Sequence, residues 1–120
     1  IRTERVLTLR IIDLLQEPTP DQSGMFKIEG PGVEGYIIGR QDSEGVYQPD
    51  VDLSLYEAQA FGVSRRHAAL VRYRGSAHLI DLGSMNGTYV NDDRLIPRQP
   101  FGLRDGDLIR IANLKLVVEQ

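Results

Sequence analysis

The 120-residue chain has no cysteine, only two histidines, and only two lysines, Lys27 and Lys115. Without cysteine there is no disulfide, no thiolate nucleophile and no cysteine-ligated metal, a usage that suits a reducing, cytoplasmic setting. Two histidines and no cysteine give no support to a zinc site. No apolar run approaches membrane-spanning length and no signal-peptide pattern stands at the start, so membrane insertion is not expected. The net charge of −3 lacks the basic excess of a general nucleic-acid binder. Hydrophobic residues make up 41% and charged residues 26%, which favours a globular chain over a disordered one. The length predicts a single domain over residues 1–120. The chain opens on Ile1 rather than methionine, and is expected to be a piece of a longer protein.

What is present is a series of short apolar runs punctuated by turn residues. Val6 to Leu15 reads as a strand, with a short helix as the alternative, and Glu17 to Gly24 as a loop. Met25 to Ile28 fits a short strand, Gly30-Pro31-Gly32 a turn, and Gly35 to Arg40 a buried strand ending in a glycine-arginine corner. Gln41 to Asp50 is loop, Val51 to Leu53 a brief strand, and Tyr56 to Phe61 fits one helical turn. His67 to Tyr73 and Ala77 to Leu82, linked by Arg74-Gly75-Ser76, predict a hairpin. Asn86-Gly87 is a turn dipeptide leading into Thr88 to Val90, followed by a second turn at Asn91-Asp92-Asp93. Leu103 to Asp107 turns again before a closing hairpin of Leu108 to Ile111 and Leu114 to Val118. Many short strands at regular spacing indicate an all-β antiparallel sandwich. No fixed-period repeat is present.

Three blocks fall where such runs end: Gly39-Arg40, Gly62 to His67, and Leu82 to Thr88. They bring guanidinium groups, a hydroxyl, an amide and glycines that admit close backbone approach. Twelve of the fourteen basic residues are arginine, whose planar fork suits bidentate phosphate contacts. That excess as a whole reads as compositional bias, and only the arginines beside the turn motifs carry a functional claim. A phosphorylated side chain bears about −1.5 to −2 charges and three strong acceptor oxygens. Arg40, at a strand end, can swing its guanidinium over a loop surface. Ser64 is small enough to leave its own N–H and hydroxyl reachable, and Arg65 adds a second cation beside it. Asn86 offers donor and acceptor together, which suits a peptide main chain.

Taken in order, Gly39-Arg40, Ser64-Arg65-Arg66-His67 and Asn86-Gly87 resemble the signature of the forkhead-associated (FHA) domain, a phosphothreonine-peptide-binding module. Asp50 to Leu53 and Leu103 to Asp107 also look like family text, and the resemblance runs from about residue 35 to 118. It implies a sandwich of two twisted antiparallel sheets with binding loops at one end. It further implies that Arg40 and Ser64 hold the phosphate, Arg65 assists, and Asn86 bonds the peptide backbone. Gly39 and His67 would be structural, His67 propping the loops from beneath, with Ser84, Met85 and Gly87 in support. The family often has threonine or another polar residue before the Asn-Gly turn, where this chain has Met85, and a thioether is a poor phosphate ligand. The loop from Gln41 to Val63 is long for a compact member, which makes Tyr56 a candidate for shaping selectivity.

The implied partner is a threonine-phosphorylated protein, in another chain or a tail of the same polypeptide, with no cofactor and no nucleic acid. A phosphate-independent scaffold or self-assembly domain on the same fold is the alternative. Catalysis is not expected: Ser64 and His67 stand three apart across a loop and a strand start, which does not set a nucleophile against its base, and no Gly-x-Ser-x-Gly elbow is present. His78 reads as a strand histidine without a role. Asp50 with Asp52, and Asp92 with Asp93, read as solvated turn carboxylates rather than calcium ligands.

Overall fold

The computed structural model describes residues 6–12, 24–29 and 35–120. Among the described residues eleven strands form two packed sheets. In chain order they are β1 (Val6–Ile12), β2 (Met25–Glu29), β3 (Tyr36–Gly39), β4 (Val51–Asp52), β5 (Arg66–Tyr73) and β6 (Ser76–Asp81). They continue as β7 (Thr88–Val90), β8 (Asp93–Arg94), β9 (Phe101–Gly102), β10 (Leu108–Ile111) and β11 (Leu114–Glu119). One sheet has the order β2-β1-β11-β10-β7-β8 and the other β4-β3-β5-β6-β9. All pairs are antiparallel except β3–β4, which run parallel and make the second sheet mixed. The expected turn at Gly30-Pro31-Gly32, and most of the loop from Glu17, lie outside the described residues.

Alternation of apolar and polar residues sets which side chains turn inward. Leu7, Leu9 and Ile11 of β1, Ile109 and Ile111 of β10, and Leu114, Leu116 and Val118 of β11 face the opposing sheet and are buried. Ile38, Val51, Ala68, Leu70 and Leu79 answer them from the other side. Thr8, Arg10, Lys115 and Arg110 alternate to the outer face, where Arg10 pairs with Glu119 at 2.8 Å. Two hairpins close on two-residue turns with positive φ at both central positions, Arg74-Gly75 and Asn91-Asp92. That geometry matches the natural twist of paired strands.

Asn86-Gly87 has a different role from a hairpin turn. It lies in the crossover from β6, in one sheet, to β7, in the other. The helical expectation is also displaced: a single 3-10 turn covers Ser54–Tyr56, and Glu57 at φ 59° ends it. Tyr56 is buried, its ring edge-on to Phe26 at 5.9 Å and its hydroxyl accepting the Gly24 N–H at 3.1 Å. It is therefore a core residue, not one that shapes selectivity.

The connections β3–β4, β4–β5, β6–β7 and β10–β11 gather at one end. Arg40 N–H bonds the Arg65 carbonyl, Ala112 N–H the Gly87 carbonyl, and Asn113 N–H the Phe61 carbonyl. Leu70→Ala, deep in the central strand β5, should cost about 3 kcal/mol of folding free energy, whereas Ile96→Ala at a 62% exposed position should change it by less than about 0.5 kcal/mol. Urea unfolding of the two variants measures the difference.

Candidate functional site

The loop end is built around a buried imidazole. His67 opens the inward face of β5 and is fully buried. Its Nδ1 accepts the Ser64 N–H at 3.0 Å, and its Nε2 lies 2.8 Å from the Gly87 carbonyl. Since Nδ1 accepts, Nε2 carries the proton and donates to Gly87, which fixes the neutral tautomer. One side chain thus ties the loop before β5 to the loop before β7. Both ring nitrogens are occupied, and the Ser64 hydroxyl is turned elsewhere, so Ser64 and His67 do not form a nucleophile–base pair. Sequence spacing had them out of contact, but they meet through the Ser64 backbone.

A second post stands under the β6–β7 loop. Asp81 is buried at the end of β6, and its carboxylate accepts four hydrogen bonds. They come from the hydroxyls of Ser84 (2.6 Å) and Thr88 (2.7 Å) and the backbone N–H groups of Gly83 (3.0 Å) and Ser84 (3.3 Å). Ser84 Oγ in turn accepts the Gly87 N–H at 3.0 Å. Burial pushes the Asp81 carboxyl up, but the bonds from Ser84, Thr88 and Gly83 together hold it below the ordinary value. Sequence reading named Ser84 and missed Asp81 and Thr88. The signal was available in the Asp81-x-x-Ser84 spacing, which suits a carboxylate capping its own loop.

Above these posts the candidate residues converge. Arg40 is held rather than swinging: Nε donates to the Val63 carbonyl at 2.7 Å and Nη1 to the Gln41 carbonyl at 3.2 Å. Nη2 has no partner among the described residues, and the residue is half-buried, so the guanidinium keeps donors to spare. Ser64 has its N–H committed to His67, contrary to the expectation that it is reachable. Its Oγ accepts the Met85 N–H at 3.3 Å, which leaves the hydroxyl proton for a ligand. Arg65 is exposed, and its side chain meets no hydrogen-bond or ion-pair partner among the described residues. Asn86 is exposed and donates Nδ2–H to the Gly62 carbonyl at 2.9 Å. Its Oδ1 and second amide hydrogen stay available. Met85 is 84% exposed at the loop tip and contributes its backbone, not its thioether, to the site.

Two glycines make this convergence possible. A Cβ on Gly39 would overlap the Arg65 carbonyl oxygen and stand 2.9 Å from that of Ser64. The chain shifts register at this point, between Ile38 and Gly39, and the bulge aims Arg40 at the neighbouring loop. Gly62, at φ 86°, would place a Cβ 2.7 Å from Asn86 Nδ2. It opened one of the three sequence blocks but was not singled out as a site residue, because the contact it admits, with Asn86, spans 24 residues. Two of the aspartates read as turn carboxylates are engaged with backbone: Asp50 accepts the Ile37 N–H at 2.8 Å, and Asp52 the Ser54 N–H at 3.0 Å. Among the described residues no group of acidic or histidine side chains is arranged to hold a metal ion.

Comparison with known proteins points in the same direction. The FHA domain family model matches residues 36–112. An oxoglutarate dehydrogenase inhibitor of Corynebacterium diphtheriae is 35% identical over 100 residues, covering 82% of this chain and 66% of that protein. The glycogen accumulation regulator GarA of Mycolicibacterium smegmatis is 31% identical over 103 residues, covering 84% of this chain and 61% of that protein. The chain therefore spans just under two thirds of the length of these relatives. A solved structure from work on phosphothreonine-dependent FHA domain interactions superposes with a TM-score of 0.69 at 28% identity, covering 97% of both chains. Among the described residues no helix is long and apolar enough to cross a membrane.

The two posts predict how the site responds to acid. Burial pulls the His67 pKa below 6.5; the Gly87 hydrogen bond and the Asp81 charge act the other way without overcoming it. Below pH 6.5 the unfolded chain therefore takes up a proton at this residue that the folded chain resists. Stability is intact above that pH and falls as pH drops toward the lowered folded value. The Asp81 contribution follows below its ordinary value of 3.8. Melting temperatures from pH 7.5 to 4.5 should decline below about pH 6.5 in the wild type, and the part due to His67 should vanish in His67→Gln. That variant should also lose about 3 kcal/mol at neutral pH, since it strands buried backbone groups of two loops.

Proposed function

The chain belongs to the FHA domain family, and on that premise we propose that it is a phosphothreonine-peptide reader whose loop end grips the phosphate with Arg40 and Ser64. Arg65 supplies a second cation from the solvent side, and the unused amide atoms of Asn86 bond the peptide main chain. The observation that carries this reading is the convergence of three loops on Ser64. Arg40 is fastened to Val63, the Met85 N–H to the Ser64 hydroxyl, and Asn86 to Gly62. Donors are left pointing outward while every internal strut is already bonded. Such an arrangement favours a dianion, because its donors need no reorganisation on binding.

Each charge-assisted hydrogen bond contributes roughly 1.5–3 kcal/mol. A few of these, less the cost of ordering an extended peptide, give an affinity on the order of micromolar, about −8 kcal/mol. The module covers residues 1–120, works in the cytoplasm and performs no chemistry of its own. Partners are threonine-phosphorylated proteins, including a phosphorylated segment of the parent polypeptide. The relatives named as an inhibitor and a regulator support a regulatory role for that parent.

Calorimetric titration with a phosphothreonine peptide library, alongside phosphoserine and unphosphorylated libraries, tests the reading. Micromolar binding confined to phosphothreonine is expected. Arg40→Ala and Ser64→Ala should each weaken it at least about tenfold, since each removes one charge-assisted contact, while the melting temperature changes little. Binding that is indifferent to phosphate would instead favour a scaffold on the same fold.

A further inference from the structure

Beside the phosphate site, on the outer face of the six-stranded sheet, two arginines flank a tyrosine. Arg110 of β10, Tyr89 of β7 and Arg94 of β8 are register partners across three adjacent strands. The Arg110 guanidinium carbon lies 3.8 Å from the centre of the Tyr89 ring, and Nη1 donates to the Ala112 carbonyl at 2.9 Å. The Arg94 guanidinium lies 5.8 Å from the same ring. Stacking and the Ala112 bond hold Arg110 in one orientation, which a solvated surface arginine does not require.

This platform is continuous with the phosphate site. A Cβ on Gly87 would stand 2.9 Å from Arg94 Nε and 3.0 Å from its Cζ, so the guanidinium lies against the Gly87 backbone, next to Asn86. The Gly87 carbonyl accepts from both His67 and the Ala112 N–H, at 2.8 and 2.9 Å. The loop that presents Asn86 and the turn that fixes Arg110 therefore share one anchor.

Among the described residues neither arginine has an anionic partner. The ion pair found among the described residues is Arg10–Glu119, on the far strands of the same sheet. Asp92 and Asp93, at the nearby β7–β8 turn, form no ion pair with Arg94 or Arg110. Tyr89 of β7 stands between the two strands that carry these cations, and each guanidinium keeps hydrogen-bond donors that no partner among the described residues takes up.

We propose that Arg94, Tyr89 and Arg110 form a second anion subsite that selects aspartate or glutamate side chains in the flank of the bound phosphothreonine peptide. The proposal rests on the phosphothreonine reading above. It commits to carboxylates carried by the same peptide: Arg94 rests against Gly87, next to Asn86, and Arg110 follows on β10 across the Tyr89 ring, so a chain bonded at Asn86 that turns onto this face meets Arg94 first. The substrates are then acidic phosphothreonine segments, distinguished from neutral ones by residues outside the phosphate grip.

The test is fluorescence anisotropy with three phosphothreonine peptides: neutral flanks, acidic residues on the N-terminal side, and acidic residues on the C-terminal side. The wild type should bind one of the acidic peptides about five- to tenfold tighter than the neutral one, with the gain shrinking at high salt. Arg110→Gln should remove that gain and leave the neutral peptide within about twofold. Arg94→Glu, at an exposed position of a two-residue edge strand, should reverse it and favour a lysine-flanked peptide. This reversal keeps the proposal testable should Arg110→Gln fold poorly. Phosphate-dependent binding that ignores flank charge, or variants that weaken neutral and acidic peptides equally, would overturn the subsite alone. Loss of all phosphate dependence in the wild type would overturn the reader and the subsite together.

Discussion

The loop end depends on one buried imidazole. His67 is the point at which a residue of the central strand reaches up to bond two loops that share no strand pairing with each other. Its Nδ1 holds the backbone of Ser64, and its Nε2 holds the carbonyl of Gly87. Remove it and the two loops lose their common reference, although the sheets below would keep most of their contacts. Asp81 does the same inside one loop, gathering four donors onto a single carboxylate. These buried polar networks are fully satisfied, which is the condition under which they stiffen a structure rather than weaken it.

The sandwich supplies the height from which these posts act. Antiparallel strands of the two sheets bury one face each, and their connections are driven to the ends. At one end the glycines at 39 and 62 permit backbone approaches that a Cβ would block. The outcome is a surface whose donors are fixed by internal bonds, with the free edges of Arg40, Ser64 and Asn86 left for a ligand. Arginine suits this end because its guanidinium can be fastened by one nitrogen while offering the others. Arg110 is tied that way to the Ala112 carbonyl, while Arg40 is tied by two nitrogens, to the Val63 and Gln41 carbonyls, and keeps Nη2.

Much of this was legible in the sequence. Alternation located nearly every strand longer than three residues, because the inward-facing residues of a half-buried strand must be apolar. The two-residue strands β8 and β9 carry no such pattern and were missed. Asn86-Gly87 is a local turn signal, but whether its strands share a sheet is decided by packing far away, and here they do not. Tyr56 looked like loop equipment and proved to be core, since its neighbours Phe26 and Gly24 lie some 30 residues earlier. The Ser64 N–H read as free because its acceptor, an imidazole three residues on, depends on how the strand begins. Gly62 matters through a contact 24 residues away, and Arg94 through the tight hairpin that folds it back over Tyr89 and Gly87, which no apolar pattern marks.

The central claim is that the site is built before the ligand arrives, with His67 and Asp81 as fixed posts. The direct measurement is an NMR titration of the labelled protein with a phosphothreonine peptide, following the backbone amides, the Arg40 Nε–H and the His67 ring nitrogens together. The account predicts saturable shifts at Arg40, Ser64, Met85 and Asn86, while the His67 ring signals keep the same neutral tautomer throughout. Shifts that spare those residues, or a His67 tautomer that appears only once peptide is bound, would contradict it.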